Sequence, residues 1–400
     1  MRTGLLSALL ATDEGALRAD LMLAERSVLA WQAGVAEALG CQRIIVLAAR
    51  KSAAVVALEE ACKAKGLAFQ RLARFADLAA VLHAEDELLM LGDGLVPDRA
   101  LLTPLLAPQG TAKPLRKIVL CLPDDDPQAT AFPADCERID AARCWAGVAL
   151  MRAAPAQNLD AFAPESNAIS LLLRMALQAG TPCHVLSPSE RAPRDWFWAR
   201  DSAAITAQEH ALIAQHRQPA VWNAPGLALA AVLAARMGVL RLQIAAPGAT
   251  IGGLALLLIA LGCALWGWPL AAVIAAVLGS LAFDMAGNLA RIRQSLLDRE
   301  LPAAFTHLRE PGRDVLAATV LAATLGLGPI AALGLLAIGT IRLAEQAAPP
   351  GVKACWRDRT AQLAVLALAA GFGLLAEATA LLALGALAQC LFMKAERPFP

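Results

Sequence analysis

Toward the end of an apolar stretch that begins at Pro269, the chain reads Phe283-Asp284-Met285-Ala286-Gly287-Asn288-Leu289-Ala290-Arg291. Helical spacing puts Asp284, Asn288 and Arg291 on one face, with Gly287 as a helix-packing residue beside them. A carboxylate, an amide and a guanidinium where an apolar helix reaches water are groups that hold a metal ion or an anionic headgroup. Arg293 follows closely, and Asp314, with Glu310 one turn before it, supplies the further carboxylates a divalent ion would need. The plainer alternatives are topogenic charge for Arg291 and Arg293, and a local ion pair for Asp284.

A second candidate lies upstream. Asp93 follows the run Leu88-Leu89-Met90-Leu91-Gly92, which reads as a strand. Functional groups of parallel sheets sit beyond the carboxyl ends of strands, so Asp93 is a candidate for nucleotide binding; a turn-forming aspartate is the alternative. Asp124-Asp125-Asp126, between Pro123 and Pro127, reads as a solvated turn, because adjacent carboxylates cannot all face one ion. His184, His210 and His216 stand apart, without a Ser/His/Asp order. Nine scattered cysteines with no C-x-x-C suit a reducing cytoplasm rather than a zinc or disulfide framework.

The elements that position these groups fall into two classes. Across 400 residues the mean hydropathy is +0.55, with 58% hydrophobic and 17% charged residues, so a bilayer must solvate part of the chain. A net charge of +1, with no basic stripe interleaved with aromatics, excludes nucleic acid as a partner. Up to Pro219 charges recur every few residues, and the runs 4–11, 27–39, 43–48, 53–65, 87–91, 99–106 and 117–122 alternate short strands with helix-period stretches. Residues 1–219 are therefore expected to form a cytoplasmic α/β domain with a mostly parallel sheet. Residues 4–11 resemble a signal-peptide core, but Thr12-Asp13-Glu14 replaces a cleavage site, and a buried strand is the better reading. Trp196-Phe197-Trp198, beside Arg194 and Arg200, suits either the headgroup level or a packing patch.

Residues 220–246 read as a linker and an interfacial amphipathic helix, since the apolar stretch 227–240 carries Arg236 and ends at Arg241. Residues 247–400 hold six apolar runs, at 250–266, 269–290, 315–327, 329–343, 362–372 and 374–393, which predict an all-α six-helix transmembrane domain. Arg291, Arg293, Arg299, Arg309, Arg313, Lys353, Arg357, Arg359, Lys394 and Arg397 fall in alternate connections, while Gly267-Trp268, Gly328 and Gly373 carry no Lys or Arg. The positive-inside rule then puts both termini in the cytoplasm and the chain in the inner membrane.

Two resemblances join these halves. Leu23-Ala24-Glu25-Arg26-Ser27-Val28-Leu29, Gly92-Asp93 and Ala146-Gly147-Val148 are similar to segments of sugar-phosphate nucleotidyltransferases, in which the aspartate after the glycine helps hold metal and nucleotide. That family's first loop is glycine-rich; Thr12-Asp13-Glu14-Gly15-Ala16-Leu17-Arg18 has one glycine and two acids, which repel a triphosphate. The second half resembles the CDP-alcohol phosphatidyltransferases. Ala246-Pro247-Gly248-Ala249-Thr250 is similar to their entry motif, and Gly287, Ala290 and Arg291 match the end of D-x-x-D-G-x-x-A-R. Phe283 and Ala286 hold its two aspartate positions, and Glu300, Ala304 and Leu308 fall where a further G-x-x-x-D-x-x-x-D is expected. In that family four aspartates hold the metal that neutralises the CDP pyrophosphate.

The resemblance implies a substrate site at Gly287, Ala290, Arg291 and Arg293. The lost acids imply impaired catalysis: a protein that binds membrane lipid or a CDP-activated lipid in phospholipid headgroup metabolism, without a cofactor, as a homodimer or beside an active relative. The alternative is an active phosphatidyltransferase that moves a phosphoalcohol group from a CDP-activated donor to an alcohol and releases CMP. It would use Asp284 as catalytic residue and magnesium on Asp284 and Asp314.

Overall fold

The computed structural model describes residues 1–106, 117–161, 167–187, 191, 196–215, 222–297, 303–326 and 328–395. Arg194, His216, Arg241, Arg299, Glu300, Ala304, Lys394 and Arg397 lie outside the described side chains. The chain divides into two units, Met1–Ala211 and Leu212–Pro400.

The first unit is organised by a seven-stranded sheet. In chain order its elements are β1 (Arg2–Ser7), β2 (Met22–Leu23), β3 (Arg26–Ser27), α1 (Val28–Ala38), β4 (Arg43–Leu47), α2 (Ala53–Ala64), β5 (Ala68–Leu72), α3 (Leu78–Val81), β6 (Glu87–Leu91), β7 (Leu95–Pro97), α4 (Arg99–Leu106), β8 (Ile118–Pro123), α5 (Pro127–Ala131), β9 (Arg143–Arg152), α6 (Ala168–Gln178), β10 (Cys183–Val185), β11 (Trp196–Trp198) and α7 (Ser202–Gln215). The strand order is β10-β8-β9-β6-β1-β4-β5, parallel except at β9, which runs antiparallel to both β6 and β8.

Central strands read as continuous apolar runs because both faces are covered. Leu6, Ile44, Val46, Leu89 and Leu91 enter one core, and their neighbours Leu5, Ile45, Leu47, Leu88 and Met90 enter the other. Helix starts are fixed by side-chain caps: the Ser27 hydroxyl accepts the Ala30 N–H, and Asp126 accepts the Gln128 N–H just before Pro127. Trp196 and Trp198 are buried on β11, which pairs with β7; of the two readings for this aromatic cluster, the packing patch is the one observed.

The second unit is helical: α8 (Pro225–Leu265), α9 (Pro269–Leu297), α10 (Ala303–Thr324), α11 (Ala331–Ala347), α12 (Pro350–Arg357), α13 (Arg359–Gly371) and α14 (Leu375–Ala395). Among the described residues three stretches, Ile244–Leu265, Pro269–Leu297 and Leu375–Phe392, are long and apolar enough to cross a membrane. The separate interfacial helix and first span expected at 227–240 and 250–266 are one element here, α8, of 41 residues. Pro247 removes a single backbone donor, and the alanine- and leucine-rich flanks keep helical bonding on either side.

Small residues let α8 and α9 approach closely. A Cβ on Gly253 would lie 2.8 Å from the Phe283 ring, and one on Gly279 would lie 2.9 Å from Leu257. The start of α8 is tied to α13 by one carboxylate. Asp358, 1% exposed, accepts the Ala361 N–H (2.9 Å) on one oxygen and the N–H groups of Gly226 (2.7 Å) and Leu227 (3.3 Å) on the other. It therefore caps two helices at once.

Candidate functional site

The face of α9 predicted from spacing exists, but its members look in different directions. Asn288 donates to the Asp284 carbonyl (3.0 Å), and Arg291 donates to the Gly287 carbonyl (3.2 Å) and to Asn288 Oδ1 (3.3 Å). The Asp284 carboxylate turns into the bundle instead. It accepts Arg313 Nη1–H on Oδ1 (2.7 Å) and the Thr360 hydroxyl on Oδ2 (2.8 Å).

Arg313 begins a chain of alternating charges. Its Nε–H reaches Asp314 Oδ1 (3.3 Å), which also takes Arg359 Nε–H (3.2 Å); Arg359 continues to Glu345 (3.1 Å). Arg342 links Glu345 (3.2 Å) to Glu310 (3.5 Å), and Glu310 receives Arg357 Nη2–H (2.8 Å). Glu310 lies outside the three candidate spans. Arg357 and Arg342 together compensate its carboxylate.

The same end of the unit carries a cavity of about 300 Å³. Ala224, Leu227, Ala228 and Ala231 form an apolar wall; Asn288 and Asp284 lie at its base; Arg291, Arg309, Lys353 and Arg357 bring four cations against Asp284 and Glu310. Gly287 has a specific task here: a Cβ on it would overlap the Arg309 guanidinium. Ala290 is buried within α9, and Arg293 is not among the lining residues. In the sequence Arg309, Lys353 and Arg357 read as loop charges that set topology, and nothing in their local spacing ties them to Arg291.

Magnesium, which the resemblance implies for an active enzyme, does not fit this donor set. Asp284 and Asp314 are joined through the Arg313 guanidinium, so the cation shared by the two acids belongs to the chain itself. An added divalent ion would face that fixed positive charge and carboxylate oxygens already engaged. Among the described residues no group of three or more His, Cys, Asp or Glu side chains is arranged to hold a metal.

Asp93 stands just past β6 and is buried. Its Oδ2 accepts the Ser7 hydroxyl (2.9 Å) and the N–H groups of Leu9 (2.7 Å) and Leu10 (2.9 Å), which braces the segment leaving β1. Burial pushes its pKa up, opposed by these three donors. Arg18, at the end of the loop without glycine repeats, donates to Asp135 (2.5 Å).

No protein-family model and no curated protein matches this chain. The geometry of the two units carries the functional reading.

Proposed function

We propose that this is a multi-pass membrane protein that binds a phosphate-bearing lipid, or a nucleotide-activated lipid precursor, at the basic cavity of the helical unit, without running metal-dependent phosphoalcohol transfer. One observation carries the reading: Arg313 bonds both Asp284 and Asp314, the acids a metal site would need. Four cations facing an apolar wall match an anionic headgroup whose acyl chains lie along α8. The volume suits a headgroup phosphate and its substituent, not a whole lipid.

In this reading α8, α9, α10, α11, α13 and α14 supply six crossings, with the cavity and both termini on the cytoplasmic side of the inner membrane. Exposed Trp266, Trp268 and Phe372, in the connections that lack basic residues, support an outer aromatic level; exposed Trp222, beside the cavity wall, supports an inner one. Partners are membrane lipid and a second copy or an active relative.

The test is an assay of purified protein with CDP-diacylglycerol, magnesium and a panel of alcohols, run beside a binding assay with vesicles containing an anionic phospholipid. Retention of the lipid with no CMP released is expected. Robust CMP release that Asp284→Ala abolishes would overturn the reading in favour of an active phosphatidyltransferase.

A further inference from the structure

The first unit holds a second cavity, of about 420 Å³, at the carboxyl ends of β1, β4 and β6. That volume falls in the range of small-molecule pockets. Ser7, Leu9, Asp93, Trp145, Ile169 and Trp198 are among its lining residues.

Two buried polar atoms of this lining have no hydrogen-bond partner among the described residues: Asp93 Oδ1 and Trp198 Nε1. Each unmade bond costs about 1–3 kcal/mol, so side chains free to turn would turn. Neither is free. Three donors on Oδ2 hold the Asp93 carboxylate. The Trp198 ring lies so close to the chain that a Cβ on Gly92 or Gly147 would come within 2.9 or 2.6 Å of it. Gly147 also has φ +86°, so glycine serves there both for its backbone angle and for the ring's approach. A fixed acceptor and a fixed donor therefore belong to side chains that line one cavity.

The charge of the lining limits what enters. Asp93, Asp135 and Glu137 outnumber Arg74, which is largely exposed and bonded to Asp77 (2.9 Å). Arg18 and Arg200 both bond Asp135 at 2.5 Å, and Arg174 pairs with Glu137 at 3.5 Å. The N–H groups of Leu9 and Leu10, which a phosphate would need, already serve Asp93. Counted with these partners the surroundings are close to neutral, so an anion would meet no net positive charge and no open donor nest.

We infer that this cavity binds a small neutral or cationic molecule, a polyol or amino alcohol, that donates a hydroxyl or amine hydrogen to Asp93 Oδ1 and accepts the Trp198 indole N–H, and that it excludes phosphate-bearing ligands. The inference is independent of the membrane cavity.

The experiment is calorimetric titration of the full-length protein in detergent with myo-inositol, glucose, glycerol, ethanolamine and choline, and separately with CTP plus magnesium. Saturable binding of at least one of the five is expected, weakened tenfold or more by Trp198→Phe, which keeps an aromatic ring and removes the donor. Asp93→Asn should weaken it comparably, because an amide nitrogen at the Oδ1 position donates where the site accepts. If Asp93→Asn does not fold, Trp198→Phe decides, with circular dichroism as its control. Absence of saturable binding by all five, binding untouched by Trp198→Phe, or CTP binding weakened by Trp198→Phe would each overturn the inference.

Discussion

Replacing Asp358 tests whether one carboxylate secures both the start of α8 and the start of α13. Asp358→Ala removes three acceptor contacts, to Gly226, Leu227 and Ala361, at a position that is 1% exposed. A lost N-cap costs about 1 kcal/mol, and two are lost. The N–H of Gly226 is also left buried and unpaired, which adds roughly 1 kcal/mol more at the low end of the usual penalty. The sum is about 3 kcal/mol; for a unit the size of Leu212–Pro400 that lowers the melting midpoint by about 6–12 °C. Asp358→Asn keeps one acceptor oxygen and can cap one helix, so about half that shift is expected. The assay is thermal unfolding followed by far-ultraviolet circular dichroism in one fixed detergent. A shift under about 2 °C for the alanine variant would refute the double cap, and equal shifts for alanine and asparagine would refute the division of labour between its two oxygens.

Gly287→Ala should push the Arg309 guanidinium out of the basic cavity and weaken binding to anionic-phospholipid vesicles roughly fivefold, while the melting midpoint moves little, because the displaced group is the end of a long side chain. Asp284→Ala should destabilise the helical unit by about 3 kcal/mol, since it leaves the buried Arg313 charge undercompensated; Asp284→Leu combined with Arg313→Met should recover most of that loss in the same melt. Burial pushes the thiols of Cys41 and Cys136 up to about 12, so at pH 7.5 both are neutral and enclosed, whereas Cys355 on α12 is exposed. Mass spectrometry after maleimide treatment should find Cys355 modified, with Cys41 and Cys136 modified only after denaturation. A membrane-impermeant maleimide should reach Cys355 in inside-out vesicles and not in right-side-out ones.

Much of the first unit was legible because its central strands are buried on both faces and stand out as apolar runs. β1, β4, β6 and β8, with α1, α2 and α4 between them, fall within a few residues of the runs read from the chain. β5 and the reversed direction of β9 did not show: β5 is only partly buried and mixed in composition, and strand direction depends on pairing rather than on local pattern. In the helical unit Asp284, Gly287, Asn288 and Arg291 were visible together because one helix carries them all. Arg309, Arg313, Lys353, Arg357 and Thr360 come from α10, α12 and α13, and only packing brings them to the site. Their charge had a sufficient local explanation in topology, which hid the ion chain they build.

The single span of α8, Pro225–Leu265, conceals a change of course. Gly226 and Gly253 are separated by 27 residues, which a straight helix would spread over about 40 Å. Yet Gly226 lies against Thr360, Thr360 bonds Asp284, and Asp284 is the sequence neighbour of Phe283, on which Gly253 packs. The helix must therefore bend between these glycines, an interval that contains Pro247. Its first limb thereby becomes a wall of the basic cavity rather than part of a straight span, and Asp358 fastens that wall at its start.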